Sequence, residues 1–267
     1  MSNITFSNFL YPDTNILVMI AKDLTKWRPM QDFLHNNDLC IAISEGQIPE
    51  LNDFSDLHQN LGTFLSAVPT IITKTHEEIL DQEISSYPEI ITPNIIGGYA
   101  NEFFGTDKFQ KHLASTELSK ARKEQREFAL QMKERLERLK SNFPPKDNEK
   151  YHVDQADEFV WAYVVQLLAE THPRFLNKFR DNASSFSPQP FRYLSLRGYV
   201  IFYKYYIYDK DVKTSDFGDL FHMNTIPYCD HVIIERDLCN VLNHIKTNHS
   251  ILESITIENV EFLESLS

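Results

Sequence analysis

The feature that most constrains this chain is a set of short apolar runs, each too brief for a helix and each leading into a stretch with helical spacing. Leu39-Cys-Ile-Ala-Ile-Ser44, Thr70-Ile-Ile-Thr73, His231-Val-Ile-Ile234 and Ile255-Thr-Ile257 are four of them, and residues 4–10 open the chain in the same way. Such runs are apolar without alternation, which is what a strand covered on both faces requires. Strands that alternate with helices build a parallel sheet, since parallel neighbours need a crossover between them. The expectation is an α/β fold with a central parallel sheet of four to five strands.

Helical patterns are read at 24–35, 75–85, 99–112, 115–140, 154–170, 192–209, 216–225 and 237–244. Pro144-Pro145 would end the long charged helix, because proline cannot continue the hydrogen-bond ladder. Ser215 suits a helix cap. No strand signal falls between the third and fourth apolar runs. The chain is therefore divided into 1–95 as the first part of the α/β unit, 96–190 as a helical insertion and 191–267 as its C-terminal part.

Several function classes are excluded at this level. The 267 residues include only seven glycines, and neither GxGxxG nor a GxxxxGK phosphate loop occurs. No HExxH and no GxSxG is present, and none of the three cysteines sits in a CxxC. The N-terminus lacks the basic and apolar regions of a signal peptide, and no apolar run approaches the ~18 residues of a membrane span. These features point to a cytoplasmic protein with no membrane segment. The net charge of −12 argues against a simple nucleic-acid binder. Its distribution is uneven, however: residues 108–150 hold 12 Lys/Arg against 7 Asp/Glu, while the rest hold 14 against 31.

In open parallel sheets, sites form beyond the carboxyl ends of the strands. Asp13 follows the first strand, Glu50 opens the helix after the second, and Glu235 ends the strand at 231–234. Asp216 and Asp219 lie three residues apart on one helical face, and Asp230 directly precedes a strand. Carboxylates that converge in one cleft repel each other unless a cation neutralises them. A hard divalent ion does so with one or two carboxylates, waters and phosphate oxygens as ligands.

These residues carry a resemblance. Asp13-Thr-Asn-Ile-Leu resembles the opening strand motif of PIN-domain nucleases, and Ser44-Glu-Gly-Gln-Ile-Pro-Glu-Leu51 is similar to that family's second acidic position. Ser215-Asp-Phe-Gly-Asp219, then Ile226-Pro-Tyr-Cys-Asp230, then Val232-Ile-Ile-Glu235 resembles the C-terminal block of bacterial PIN-like proteins. The resemblance implies a PIN-like, Rossmann-like three-layer fold and Mg²⁺- or Mn²⁺-dependent endonucleolytic cleavage of single-stranded RNA, with DNA as a further substrate. It also implies a toxin or phage-defence role, with an inhibitory or activating protein partner and a homo-oligomer among its partners. Asp13, Glu50, Asp219 and Glu235 match its catalytic positions, and Asp216 and Asp230 extend the metal-binding set.

Alternatives stand beside each of these. Asp13 and Asp216 suit plain helix caps, Glu50 a solvated first-turn acid, and Asp230 a turn residue. Glu45 competes with Glu50, and Asp237 with Glu235. The candidates for nucleic-acid contact are Asn15, Lys120, Lys123, Arg126, Arg197 and Arg236. The charged helix that carries Lys120, Lys123 and Arg126 reads equally as a solvated face or as a phosphate-gripping arm. Arg28 and His35 have the R-x₆-H spacing of HEPN ribonucleases, a metal-independent alternative. The histidines as a group are read as structural, and an inactive PIN-like binding module is the remaining alternative.

Overall fold

The computed structural model describes residues 8–99, 111–143, 151–214 and 216–266. Residues 4–7 of the expected first strand, most of the expected helix at 99–112, the Pro144-Pro145 stop and the Ser215 cap lie outside the described residues. The described residues form an α/β fold around a six-stranded sheet ordered β4-β3-β2-β1-β5-β6. The strands are β1 (Asn8–Pro12), β2 (Leu39–Ile43), β3 (Thr70–Thr73), β4 (Ile96–Tyr99), β5 (His231–Ile234) and β6 (Thr256–Asn259). All neighbours pair in parallel except β3 and β4. The five parallel strands are the five apolar runs of the sequence. The antiparallel edge strand β4 occupies the start of the segment 96–190, which the pattern predicts as a helical insertion. Its Gly97-Gly98 pair hides a strand signal, yet a side chain at 97 would come within 2.9 Å of the Thr73 carbonyl oxygen. Close backbone approach of this kind is what glycine in a strand permits.

Alternate residues of the central strands feed two different apolar clusters. Tyr11, Cys40, Ala42, Ile71, Val232 and Ile234 join one. Leu10, Leu39, Ile41, Ile43 and Ile233 join the other. Both faces of the sheet are therefore buried, which explains why β2 reads as an unbroken apolar run. On the second face lie α1 (Thr14–Lys22), α2 (Trp27–Asn36) and α4 (His58–Ala67). On the first face lie α5 (His76–Ser86), the middle of α6 (Thr116–Asn142), α7 (Ala156–Thr171) and α9 (Arg192–Phe202). The helices of the middle segment thus share one continuous core with the sheet. Short α3 (Gln47–Leu51) follows β2, and α8 (Pro173–Leu176) follows α7. Two later helices, α10 (Asp216–His222) and α11 (Arg236–Asn248), flank β5 in sequence. The helix expected at 216–225 ends at His222, and a 3₁₀ turn at Ile226–Tyr228 contains Pro227.

The chain adds β2 and β3 on one side of β1, then returns to add β5 and β6 on the other. β1 and β5 thus border the point where the winding direction reverses, the usual place for a crevice in such sheets. The helix expected over 192–209 is regular only to Phe202; a π-helical turn then covers Tyr203–Ile207. Such widened turns are rare and concentrate at functional sites. Here the turn carries Lys204.

Candidate active site

Asp13 and Glu235 stand at the carboxyl ends of the two strands that border this reversal. Asp13 caps α1: its Oδ1 accepts from the Ile16 N–H at 2.9 Å, and its Oδ2 accepts from the Glu235 N–H at 2.8 Å. The Asp13 N–H in turn donates to the Ile233 carbonyl at 2.9 Å. One aspartate therefore caps a helix and staples two strand ends, and it is only 4% exposed. Burial pushes its carboxyl above the usual range and the charge of Asp219 adds to this, while His222 and the two backbone N–H donors oppose it. Glu235 receives a hydrogen bond from the Asn15 amide. Its carboxyl is also raised, first by burial and then by the charges of Asp13 and Asp219. Three acids from three elements thus lie within electrostatic reach of one another.

Glu50 enters from α3. Its Oε2 accepts from the Thr14 hydroxyl at 2.5 Å, and its Oε1 lies 3.8 Å from the Arg122 guanidinium. Gly218 leaves room for it, since a Cβ there would approach Oε1 to 3.0 Å. His222 Nε2 lies 4.0 Å from the same carboxylate. Behind it, His222 Nδ1 and the fully buried Tyr11 hydroxyl share a 2.6 Å hydrogen bond, and Tyr11 reaches Ser44 at 3.5 Å. Burial pushes the Tyr11 phenol well up, so it stays protonated.

The π-turn places Lys204 between the two acids of α10. Its Nζ donates to Asp216 Oδ1 at 2.8 Å and to Asp219 Oδ2 at 2.7 Å. Burial favours the neutral amine, but the charges and hydrogen bonds of Asp219 and Asp216 outweigh it and hold the ammonium above its ordinary value. The other oxygen of Asp216 accepts from the Tyr205 hydroxyl at 3.1 Å and the Lys213 N–H at 3.0 Å.

Together these residues line an open cleft of about 1030 Å³. Asp13, Asn15, Glu50, Asp216, Asp219 and Glu235 line it, as does Asp237, whose exposed carboxylate pairs with Lys210 at 2.8 Å. One wall is the N-terminal half of α6, where Arg122 and Arg126 both bond Asp53 at 2.9 Å. Gln125 fastens this wall to the Gly46 carbonyl at 3.2 Å. The wall also carries Leu130, which is 59% exposed.

Other sequence candidates are placed elsewhere. Asp230 sits at the opposite, amino end of β5, where its Oδ2 accepts from the Phe9 N–H at 2.8 Å; sequence order set it near Glu235, but a strand of four residues separates the two. Lys120 and Lys123 face away and pair with Glu124 and Glu127 one turn on. Arg236 pairs with Glu261, and Arg197 lies within reach of Tyr163 and Tyr193 in the core. Glu45 is tied to His76, and Arg28 to Asp32 at 3.0 Å. None of these lines the cleft.

Lys204 and His222 do line it, and sequence reasoning passed over both. The one signal for Lys204 was a lone lysine inside the apolar run 199–208. His222 gave none, since its partners are distant in sequence.

Among the described residues, no three His, Cys, Asp or Glu side chains gather closely enough to enclose a metal ion by themselves. The donors are hard carboxylate oxygens, and Asp13 and Glu235 form no salt bridge among the described residues. That chemistry fits Mg²⁺ or Mn²⁺, which take one or two carboxylates and complete their shell with water and phosphate. In comparisons with protein-family models, curated proteins and solved structures, nothing matched this chain.

Proposed function

We propose that the cleft is the active site of a divalent-metal-dependent nuclease that hydrolyses phosphodiester bonds of single-stranded RNA, on a PIN-like fold. The observation that carries this reading is the meeting of Asp13 and Glu235 at adjacent strand ends, each raised by burial and by Asp219, with no protein cation bonded to either. A bound Mg²⁺ or Mn²⁺ would supply Lewis-acid polarisation and a nucleophile generated at neutral pH. Asp13, Glu235 and Asp219 would hold it. Asn15 orients the Glu235 carboxylate, and Thr14 orients Glu50. Arg126, Arg122 and Lys213 border the cleft, where they would attract the backbone phosphates. Exposed Leu130, with Phe221 also lining the cleft, offers apolar surface for a base. A toxin or defence role would follow from RNA cleavage of this kind.

The test is incubation of the purified protein with single-stranded RNA, with and without Mn²⁺, beside Asp13→Asn. Cleavage that needs Mn²⁺ and is lost in Asp13→Asn is the expected result. Metal-independent cleavage would favour the Arg28/His35 reading instead. Absence of both cleavage and metal binding would favour an inactive binding module.

A further inference from the structure

Five of the six candidate metal-binding acids line the cleft, and they are neutralised there by different means. Glu50 faces Arg122 at 3.8 Å. Asp216 and Asp219 share Lys204. Asp13 and Glu235 accept only neutral donors: two backbone N–H groups and one amide.

We propose that Lys204 is a built-in cation standing in for a second metal ion, so that the cleft binds one divalent ion, at Asp13 and Glu235, rather than two. The inference rests on the nuclease reading above and specifies the make-up of that site.

Three observations carry it. First, Lys204 is 4% exposed and bonded to both carboxylates, so its ammonium is held in place rather than swinging through solvent. A buried ammonium is tolerated only when paired in this way. Second, both oxygens of Asp216 already accept donors from Lys204, Tyr205 and Lys213, which leaves this acid the task of fixing Lys204. Third, paired-ion sites hold their metals about 3.5–4 Å apart and share carboxylates between them. An ammonium 2.7 Å from Asp219 occupies the side of that carboxylate where a second ion would have to sit, and it repels one. Of the four carboxylate oxygens of Asp216 and Asp219, only Asp219 Oδ1 has no hydrogen bond among the described residues, so Asp219 can turn one oxygen to Lys204 and the other to the single ion. The π-turn fits this arrangement, because its widened register sets Lys204 and Tyr205, which are consecutive, on the same aspartate.

Lys204 is thus a positioning residue, and the test reads ion number rather than turnover. Metal-free full-length protein is titrated with Mn²⁺ by calorimetry, and the bound ion is observed by electron paramagnetic resonance. The expected wild-type result is one Mn²⁺ per chain, with the spectrum of an isolated ion. Lys204→Met, of similar length without the charge, is expected to bind two, and Lys204→Arg to return to one. Two ions in the wild type, or one ion at unchanged affinity in Lys204→Met, would overturn the inference and leave the nuclease reading standing. No ion in the wild type would overturn both. The wild-type stoichiometry decides the matter even if Lys204→Met does not fold, which a thermal melt would reveal.

Discussion

Strands β1 and β5 are stapled at both ends by an aspartate, and the two ends behave differently. At the amino end, Asp230 exchanges hydrogen bonds with Phe9: its carboxylate accepts the Phe9 N–H, and its own N–H donates to the Phe9 carbonyl at 2.9 Å. At the carboxyl end, Asp13 exchanges the same kinds of bond with Glu235 and Ile233. The local bonding is nearly equivalent. What differs is the company: Asp230 is exposed, whereas Asp13 is buried beside Glu235 and Asp219. A hydrogen-bonded aspartate at a strand end is therefore a structural device at both ends and a candidate chemical one only where further acids crowd it.

The largest expected effect breaks or upholds this contrast directly. Asp13→Asn keeps a side chain able to cap α1 but removes the charge. RNA cleavage should fall about 10³-fold or more, the scale of losing one member of a catalytic unit, while Asp230→Asn should stay within about twofold of wild type. Equal losses at both ends, measured as initial rates in Mn²⁺, would erase the distinction.

Glu83 sharpens it by separating burial from site formation. This acid is fully buried in α5, accepting from the Tyr228 hydroxyl at 2.5 Å and the Arg192 N–H at 3.0 Å. Burial pushes its carboxyl up to about 7. Both folded and unfolded chains hold the proton in acid. As pH rises beyond the ordinary glutamate range the unfolded chain ionises first, so stability falls until the folded chain also ionises near 7. A raise of that size converts to about 3 kcal/mol. Glu83→Gln should remove much of that loss, so urea midpoints at pH 5.5 and 8.5 should draw together in the variant while metal binding stays intact. An unchanged pH dependence would show that Glu83 ionises freely in the fold.

Smaller effects follow at the other positions. Asp230→Ala should lower stability by about 1 kcal/mol, the worth of a strand-end hydrogen bond, with Mn²⁺ affinity unaltered. Arg126→Ala should weaken RNA binding about threefold and make its salt dependence shallower by about one unit of log–log slope. Lys120→Ala, on the far side of the same helix, should do neither.

The division of the charged helix α6 was invisible in its sequence. Lys120, Lys123 and Arg126 look alike as basic residues of one amphipathic pattern, yet only the last reaches the cleft. Which side of a helix meets a distant loop depends on how it docks, and Gln125 and Arg122 bind Gly46 and Asp53 on either side of α3 through bonds spanning about seventy residues or more. Lys204 was hidden for a related reason: a lysine in an aromatic run resembles an interruption until its two aspartates, 12 and 15 residues on, fold back onto it.

The sequence by itself determined the five parallel strands, the helices between them and the acids near the strand ends, because burial on both faces and helical periodicity are written locally in residue order. The tertiary structure decided the rest. Placing β5 beside β1 brought Asp13 and Glu235 together across 222 residues and sent Asp230 to the opposite edge. It also decided which acids are neutralised by lysine or arginine and which are left with neutral donors. Charge compensation and desolvation act through space, so they depend on neighbours that only the closed fold supplies.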